Sequence, residues 1–372
     1  MAGYIMTISD MDALQYCVES GVYSTILSDA KYDKWNVAQE GTFADYFSMK
    51  EGDSIYFFIK RKIYGIGILT NINKDCKFLN YIDADLPRNY SDEEYIQKEP
   101  LISSGTQQNR CFCTFKPAPH FFMNGIDMDD ALSSNPDKFR MLRAMWKVSF
   151  IKIDDEENQA LQDIILKRNE ERLKDKKDIF SFSPEEQNLI VKKMSAKYRM
   201  SAYQLLLSAK KDNKIKHEMA IEAAICDLLS RDDKSIFGKW DYVSHQVIAS
   251  PFKAIDYMDK MDIFGYRYIE GFKTISKYLV IEIKKDEADE AVIEQIMKYV
   301  DWINGEYAHG DYSMIEAYIV AAGFSDDVIN KRDNECIRNF TKGYRPTMAC
   351  TWKECRLIKY TYDDRGLTFI EV

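Results

Sequence analysis

The chain has 372 residues and a formal net charge of −9, and 46% of its residues are hydrophobic and 13% aromatic. This composition excludes global disorder, and the length allows two packed domains. No apolar run approaches the roughly 20 residues that span a membrane, and the first residues lack the basic and apolar regions of a signal peptide. We therefore expect a cytoplasmic protein that has no membrane association and keeps its eight cysteines reduced.

Two strands that meet at a basic turn are predicted in the N-terminal third. They cover residues 54–60 and 63–69 and flank the turn at 61–62. Gly65 and Gly67 lie inside the second strand, which predicts a bulge or a close backbone approach, as in a small curved barrel. The ordered segments MKEGDSIYFF and IYGIGIL resemble the PUA-like superfamily, particularly its EVE and YTH members.

The PUA-like resemblance implies an α+β barrel over residues 1–170 that takes up a modified or flipped base between aromatic side chains. The candidates for this base pocket are Trp35, Tyr46, Tyr56 and Tyr64. Stacking on an aromatic ring contributes about 1–3 kcal/mol per base and tolerates any base. Each of these rings also fits a place in a hydrophobic core, because the chain contains 24 tyrosines and 20 phenylalanines.

A charged helical segment over residues 171–216 is predicted to join the two domains. Ser183, Pro184 and Glu186 indicate the start of a helix, with Ser183 as the N-cap and Glu186 at the capping-box position.

The end of this segment is strongly basic, although the whole chain is acidic. Residues 187–216 contain eight basic side chains and the single acid Asp212. Contact with phosphates requires a local basic surface rather than a basic protein, so the segment is a candidate for nucleic-acid binding. The candidate phosphate contacts are Lys192, Lys193, Lys197, Arg199, Lys210 and Lys211. The alternative interpretation is the solvated face of two helices.

An amphipathic helix is predicted over residues 217–229, with apolar residues at positions 221, 225, 228 and 229. Glu222 lies beside this apolar stripe, and Glu218 lies one turn earlier. Glutamate is a good helix former, so most glutamates on helices are simply solvated.

Two short apolar strands, 261–265 and 278–284, carry two acids and a lysine. Asp262 lies in the first strand, and Glu282 and Lys284 share one face of the second, because alternate residues of a strand point the same way. Burying a carboxylate and an ammonium group is costly unless they are paired or hold a metal ion. The second strand is therefore predicted to carry a functional site.

If the two strands pair as a hairpin, Asp262 and Glu282 converge at one end and can hold a divalent ion. Carboxylate oxygens suit Mg²⁺, or Mn²⁺ in its place, and such an ion keeps water ligands for chemistry. Asp256 and Asp259 flank the first strand and are the alternatives to Asp262. Asp262 is preferred because it alone lies within a strand-like apolar run.

A second amphipathic helix is predicted over residues 287–303, and Gly305 is its expected end. Gln295 and Tyr299 are four residues apart on this helix, so they lie on one face. A further strand is predicted over 315–322.

The ordered segments DIFG, VIEIK and QIMKYVDWI, followed by that strand, resemble the PD-(D/E)xK nucleases, in particular their RecB-like and NucS-like branches. The resemblance covers roughly residues 217–325. It implies an α/β nuclease core over 217–372, with a mixed sheet flanked by helices.

The nuclease resemblance also implies roles for single residues. Asp262 and Glu282 would bind the metal ion, and Lys284 would orient or polarise the attacking water. The Gln295 and Tyr299 pair would help to position DNA and the active site. Nucleases of this kind often place a glutamate on the first core helix, which makes Glu222 the third candidate ligand and Glu218 its reserve.

Together these features predict a metal-dependent DNA endonuclease with an N-terminal substrate-sensing domain, used in restriction or anti-phage defence. Shedu-type defence nucleases resemble this arrangement. We expect DNA, including modified DNA, as the partner and a second copy of the chain in a homo-oligomer. The alternative is a nucleic-acid-binding or scaffold protein with a nuclease-like fold that does not cut. The intact Asp, Glu and Lys positions favour the endonuclease.

Overall fold

The computed structural model describes residues 1–143, 150–211, 214–231, 234–250, 258–363 and 366–372. Over these ranges the chain forms a mixed α/β structure of two compact units, Met1–Ser208 and Ala209–Val372. The predicted joining segment is divided between them, because residues 171–208 belong to the first unit and 209–216 to the second. No helix in the described ranges is long and apolar enough to cross a membrane.

The first unit combines short strands with helices that follow or connect them. Its strands are β1 Gly3–Thr7, β2 Val22–Ile26, β3 Ser54–Ile59, β4 Lys62–Leu69, β5 Lys77–Leu79, β6 Asn109–Pro117, β7 Ile126–Asp127 and β8 Phe150–Ile153. Its helices are α1 Met11–Ser20, α2 Val37–Phe47, α3 Asp92–Gln97, α4 Met128–Ser134, α5 Asp155–Arg168, α6 Glu170–Asp175, α7 Glu185–Lys193 and, at the boundary, α8 Ala202–Ala209.

The strands of the first unit form one sheet in the order β2-β6-β4-β3-β1-β8, with β5 paired to β6 and β7 paired to β4. Strands β2 and β8 are the two ends of this path, and the described pairings do not close it into a barrel. Apolar side chains from β1, β3, β4 and β8 pack with those of α4 and α5 in a buried core that includes Ile5, Ile63 and Leu161.

The hairpin of β3 and β4 forms as predicted, but its turn lies one residue earlier than the predicted 61–62. Its two-residue loop is Lys60-Arg61, and both residues have positive φ, as a tight hairpin turn requires. The pairing register shifts between Ile55, which pairs with Gly67, and Phe57, which pairs with Tyr64, so the irregularity includes Gly65. A Cβ atom on Gly65 would lie 2.6 Å from the Tyr56 ring, which confirms the predicted close approach.

Two buried lysines lie at the C-terminal end of α2. The ammonium group of Lys77 donates a hydrogen bond of 2.7 Å to the carbonyl of Met49, and that of Lys152 donates one of 2.9 Å to the carbonyl of Ser48. Their exposed fractions are 5% and 4%. Cations near the last carbonyl groups of a helix are stabilised by its dipole, which offsets part of the cost of burying them.

The predicted capping box at the start of α7 is wrong. The helix begins at Glu185, one residue later than expected, and its N-cap position has no side-chain hydrogen bond. The Glu186 carboxylate instead accepts hydrogen bonds of 2.9 Å from the backbone nitrogen and the hydroxyl of Ser103. The sequence pattern assigned the Glu186 carboxylate to the N-terminus of its own helix, but it binds a distant loop instead.

The second unit combines a sheet with helices that pack against it. Its strands are β9 Lys210–Lys211, β10 Lys214–Ile215, β11 Tyr242–Ile248, β12 Lys260–Tyr268, β13 Ile275–Ile283, β14 Glu287–Ala288, β15 Ile315–Ala321, β16 Gly323–Phe324, β17 Arg338–Lys342, β18 Met348–Trp352, β19 Cys355–Asp363 and β20 Gly366–Glu371. Its helices are α9 Glu218–Arg231, α10 Ala291–Ile303 and α11 Asp326–Glu335.

Six of these strands form a mixed sheet in the order β11-β12-β13-β15-β19-β20. Pairing is antiparallel from β11 to β13, parallel from β13 through β15 to β19, and antiparallel again at β20. Helix α10 forms the crossover between the parallel strands β13 and β15, and α9 packs on β11, β12 and β13. This is the predicted mixed sheet with flanking helices.

The helix predicted over 287–303 is shorter than expected. Residues Glu287 and Ala288 form β14, which pairs with β16, and the α-helix starts at Ala291. It ends at Ile303 and continues as a π-helical turn, Asn304–Ala308, through the expected stop at Gly305.

Candidate active site

Glu282 lies near the end of β13 and is 1% exposed. Its Oε1 accepts a hydrogen bond of 2.7 Å from the Lys284 ammonium group. Its Oε2 is buried without a hydrogen-bond partner among the described residues. Burial, only partly offset by Lys284, raises the pKa of Glu282 to about 7. The carboxylate therefore has one oxygen available for a ligand.

Lys284 follows the last residue of β13, and its backbone nitrogen donates a hydrogen bond of 2.8 Å to the carbonyl of Val320 in β15. This bond extends the strand pairing and keeps Lys284 beside Glu282. Burial pulls the pKa of Lys284 down, but Glu282 together with Glu218 and Asp262 outweighs burial, so the net pKa lies above the ordinary value. The side chain is a cation whose exposed fraction is 29%.

Asp262 lies in β12, which pairs with β13 as an antiparallel hairpin. Ile263 pairs with Ile281, so the next residues along, Asp262 and Glu282, lie opposite each other. Asp262 Oδ2 accepts a hydrogen bond of 2.8 Å from the backbone nitrogen of Ile283. Burial, followed by the charges of Glu222 and Glu282, raises the pKa of Asp262 well above its ordinary value.

Glu222 lies on α9 and is 3% exposed. Its two oxygens lie 3.1 and 3.0 Å from the side-chain nitrogen of Gln246, and that nitrogen is also 3.3 Å from Asp262 Oδ1. Both carboxylates therefore face one point. Glu218, the reserve candidate, accepts a hydrogen bond of 3.3 Å from the backbone nitrogen of Lys285.

The pair on α10 reaches the same end of the hairpin. The Tyr299 hydroxyl donates a hydrogen bond of 2.7 Å to the carbonyl of Lys260, two residues before Asp262, and the Gln295 side chain donates one of 3.3 Å to that hydroxyl. Burial is the main cause that raises the pKa of Tyr299 to about 12. The phenol is therefore neutral at pH 7 and anchors α10 to β12.

The structure thus brings Asp262, Glu282, Lys284 and Glu222 together, and it connects Gln295 and Tyr299 to the backbone beside them. Of the alternatives to Asp262, the Asp259 backbone nitrogen and carboxylate contact the Ser250 hydroxyl. Asp256 lies outside the described residues.

Sequence reasoning missed Gln246 and His245, which lie in β11. The His245 ring nitrogen Nδ1 is 3.7 Å from Glu222 Oε2. They could have been found from the same kind of pattern that indicated Glu282, because they are polar side chains inside a short apolar strand, here YVSHQVI. Without knowledge that β11 pairs with β12, this strand had no link to the other acids.

The donor set fits a divalent cation, because it consists of hard carboxylate oxygens and includes Glu282 Oε2, which no described residue hydrogen-bonds. In the described ranges, no group of three or more His, Cys, Asp or Glu side chains has the geometry to hold a metal ion as it stands. Glu222 and Asp262 are arranged around the Gln246 amide, so side chains must move for an ion to bind.

The six candidate phosphate contacts are split between the two units. Lys192, Lys193, Lys197 and Arg199 are exposed and belong to the first unit. Lys210 belongs to the second, where its ammonium group lies 5.5 Å from the centre of the Tyr362 ring. The side chain of Lys211 lies outside the described part of the chain.

The four aromatic candidates for a base pocket are all buried in the first unit. The exposed fractions of Trp35, Tyr46, Tyr56 and Tyr64 are 2%, 0%, 0% and 7%. The Trp35 ring nitrogen donates a hydrogen bond of 2.9 Å to the carbonyl of Asp85, and the guanidinium of Arg110 lies 4.9 Å from the ring. None of the four rings can stack on a base in this conformation.

Comparison with known proteins gives weak similarities. No protein family matches the chain, and no curated protein is significantly similar to it. A repair endonuclease from Pyrococcus abyssi matches with 20% identity and a TM-score of 0.22, over 34% of this chain and 46% of that chain. A structural genomics target from Pseudomonas putida matches with 14% identity and a TM-score of 0.23, over 44% of this chain and 97% of that chain. The chain therefore spans less than half of the endonuclease, and TM-scores this low assign no shared fold.

Proposed function

We propose that the protein is a metal-dependent phosphodiester hydrolase that cuts DNA. The observation that carries the proposal is the contact of the buried Glu282 carboxylate with the partly exposed Lys284 ammonium group. The second carboxylate oxygen of Glu282 has no partner in the described ranges. Burying a carboxylate is costly and its ion pair contributes little to stability on balance, so this site is better explained by chemistry than by folding.

Asp262, Glu282 and Glu222 would hold Mg²⁺ or Mn²⁺ through carboxylate oxygens. A bound ion of this kind supplies Lewis acidity and makes bound water a stronger nucleophile. The Lys284 ammonium group would orient that water and stabilise negative charge that develops on the phosphate. Tyr299 and Gln295 keep α10 fixed against β12, so the carboxylates stay at one end of the hairpin.

We further propose that the first unit senses the substrate as a PUA-like domain and that the system serves restriction or anti-phage defence. The exposed Lys192, Lys193, Lys197 and Arg199 support a role in phosphate contact, since they add positive charge to an acidic chain. A homo-oligomer would allow both strands of a duplex to be cut.

The test is cleavage of supercoiled plasmid by the purified full chain, with modified and unmodified DNA, in Mg²⁺, Mn²⁺ or EDTA. We expect nicked or linear product with either ion and none in EDTA. Glu282→Gln should remove cleavage. The matched control, Glu294→Gln, changes an exposed glutamate that pairs with Lys331 and should leave it intact. Equal cutting by Glu282→Gln and the wild type would refute the assignment of the site.

A nucleic-acid-binding protein that does not cut is the second candidate. The contact of the Gln246 amide with Glu222 and Asp262 favours it, because it leaves these acids paired without an ion. This candidate predicts DNA binding with no cleavage under every metal and modification condition of the same assay.

A further inference from the structure

Gln246 has an unusual backbone for its place in the sheet. Its neighbours pair regularly with β12, His245 with Ile263 and Val247 with Met261. Gln246 itself has a φ of 52°, in the left-handed region that residues with a side chain rarely adopt. Such strain persists where surrounding contacts hold the residue, and it concentrates at functional sites.

The side chain of Gln246 supplies that contact. Its nitrogen lies 3.0 and 3.1 Å from the two oxygens of Glu222 and 3.3 Å from Asp262 Oδ1. An amide nitrogen carries two hydrogen atoms, so three carboxylate oxygens surround it with one acceptor in excess. Several anionic oxygens converging on one point is the arrangement that a cation site requires.

The Lys284 ammonium group does not take this role, because it hydrogen-bonds to Glu282. The partial positive charge of the Gln246 amide therefore lies where Glu222 and Asp262 meet. Glu222 is buried and Asp262 is half-buried, and two carboxylates this close together repel each other unless a donor or a cation lies between them.

We infer that Gln246 is a positioning residue whose amide nitrogen takes the place of the divalent ion in the metal-free site and withdraws when the ion binds. This inference rests on the proposed function. It also accounts for the lack of a ready-made metal cluster among the described residues, since the acids are spaced for an amide at about 3 Å and not for an ion at about 2.0–2.1 Å.

Substitution of Gln246 should have opposite effects with and without metal. In EDTA the melting temperature of Gln246→Ala should fall, because Glu222 and Asp262 lose their shared donor. The affinity for Mn²⁺ should rise roughly tenfold, because the ion no longer competes with hydrogen bonds to charged groups. A residue that only supports the fold would lower the melting temperature without tightening Mn²⁺ binding.

The experiment measures Mn²⁺ affinity by electron paramagnetic resonance, and melting temperature in EDTA, on the full chain. Gln246→Asn is the second variant, because Asn tolerates the left-handed conformation but is too short to reach both acids. Gln159→Ala is the control, since Gln159 also donates its amide to a carboxylate, that of Asp163, but at an exposed position away from the site, and should change neither quantity. Asp262→Ala should abolish the Mn²⁺ binding that is being compared.

Cleavage of plasmid is recorded in parallel. The endonuclease proposal and the role of Gln246 can then be rejected independently of each other. Tighter Mn²⁺ binding by the Gln246 variants without DNA cleavage by any protein supports the role of Gln246 and rejects the endonuclease. Unchanged or weaker Mn²⁺ binding by both variants, or its absence from every protein tested, overturns the role of Gln246 whatever the cleavage result.

Discussion

Glu282 and Lys284 show how a strand can place a cation beside a buried carboxylate. The alternation of side chains puts both on one face, and their contact of 2.7 Å provides a donor for one carboxylate oxygen. The other oxygen has no hydrogen-bond partner among the described residues and can accept a ligand. The Lys284 ammonium group and the Glu282 carboxylate should therefore have separate, measurable effects.

Lys284→Ala should reduce the cleavage rate at least about 100-fold, the scale on which loss of one charge-stabilising group acts, while DNA binding persists. The reason is that Lys284 serves the reacting phosphate and water rather than the wider phosphate track. Single-turnover cleavage and a filter-binding assay measure the two quantities. Lys285→Ala, a change at the neighbouring lysine that pairs with Asp286, is the control and should cut normally.

The metal-free protein should lose stability as the pH rises through the acid range. Glu282 has a pKa of about 7 in the folded protein against an ordinary value of 4.5, so the folded state holds the extra proton between these values. The Glu282 carboxyl should therefore lower the free energy of unfolding by roughly 3 kcal/mol at most between pH 4.5 and pH 7. Urea titrations in EDTA should show a shallower fall for Glu282→Gln, and an unaltered fall would contradict the pKa assignment.

At the level of elements, the hairpin of β12 and β13 explains why the acids could be identified before their geometry was known. Each strand carries its polar residues within an apolar run, and the run alone indicates burial. The register, the crossover helix α10 and the contact of Gln295 with Tyr299 agree with that interpretation. Such features are local, so a single sequence contains them.

Other features depend on partners far along the chain. The role of Gln246 requires β11 to pair with β12 and α9 to cover both, which no local pattern encodes. Glu186 binds Ser103, 83 residues away, instead of capping its own helix. Hydrophobic cores and base pockets use the same aromatic residue types. The sequence alone therefore could not show whether Trp35 lies in a core or lines a binding pocket.

The burial of Trp35 predicts that it acts through stability. Trp35→Ala should lower the free energy of unfolding by about 3–5 kcal/mol, as for other large side chains removed from a core. Trp35→Phe retains the apolar ring and should cost about 1 kcal/mol, because the hydrogen bond to Asp85 is no longer made. Denaturant titration measures both. A stable Trp35→Ala protein that attacks different DNA would restore the base-pocket interpretation.

For DNA binding by the whole molecule, the distribution of charge along the chain matters more than the net charge. Four exposed basic residues, Lys192, Lys193, Lys197 and Arg199, lie in the first unit of a chain whose net charge is −9. Changing all four to Gln should weaken binding to every DNA sequence alike. The slope of log affinity against log salt concentration should become shallower by about 0.9 for each phosphate that is no longer neutralised. Fluorescence anisotropy across a salt series measures this. Lys174→Gln, at an exposed lysine paired with Glu170, should leave the slope unchanged.

The buried Lys77 and Lys152, whose ammonium groups bind carbonyls at the end of α2, can be used to detect opening of the first unit chemically. An amine-selective acylating reagent cannot reach Lys77 or Lys152 while their exposed fractions are 5% and 4%. The exposed Lys192 and Lys193 should be acylated at once, whereas Lys77 and Lys152 should be acylated only as the unit opens. Mass spectrometry of timed reactions would then follow opening of this unit within the intact chain. Acylation of all four at one rate would show that the end of α2 is open in solution.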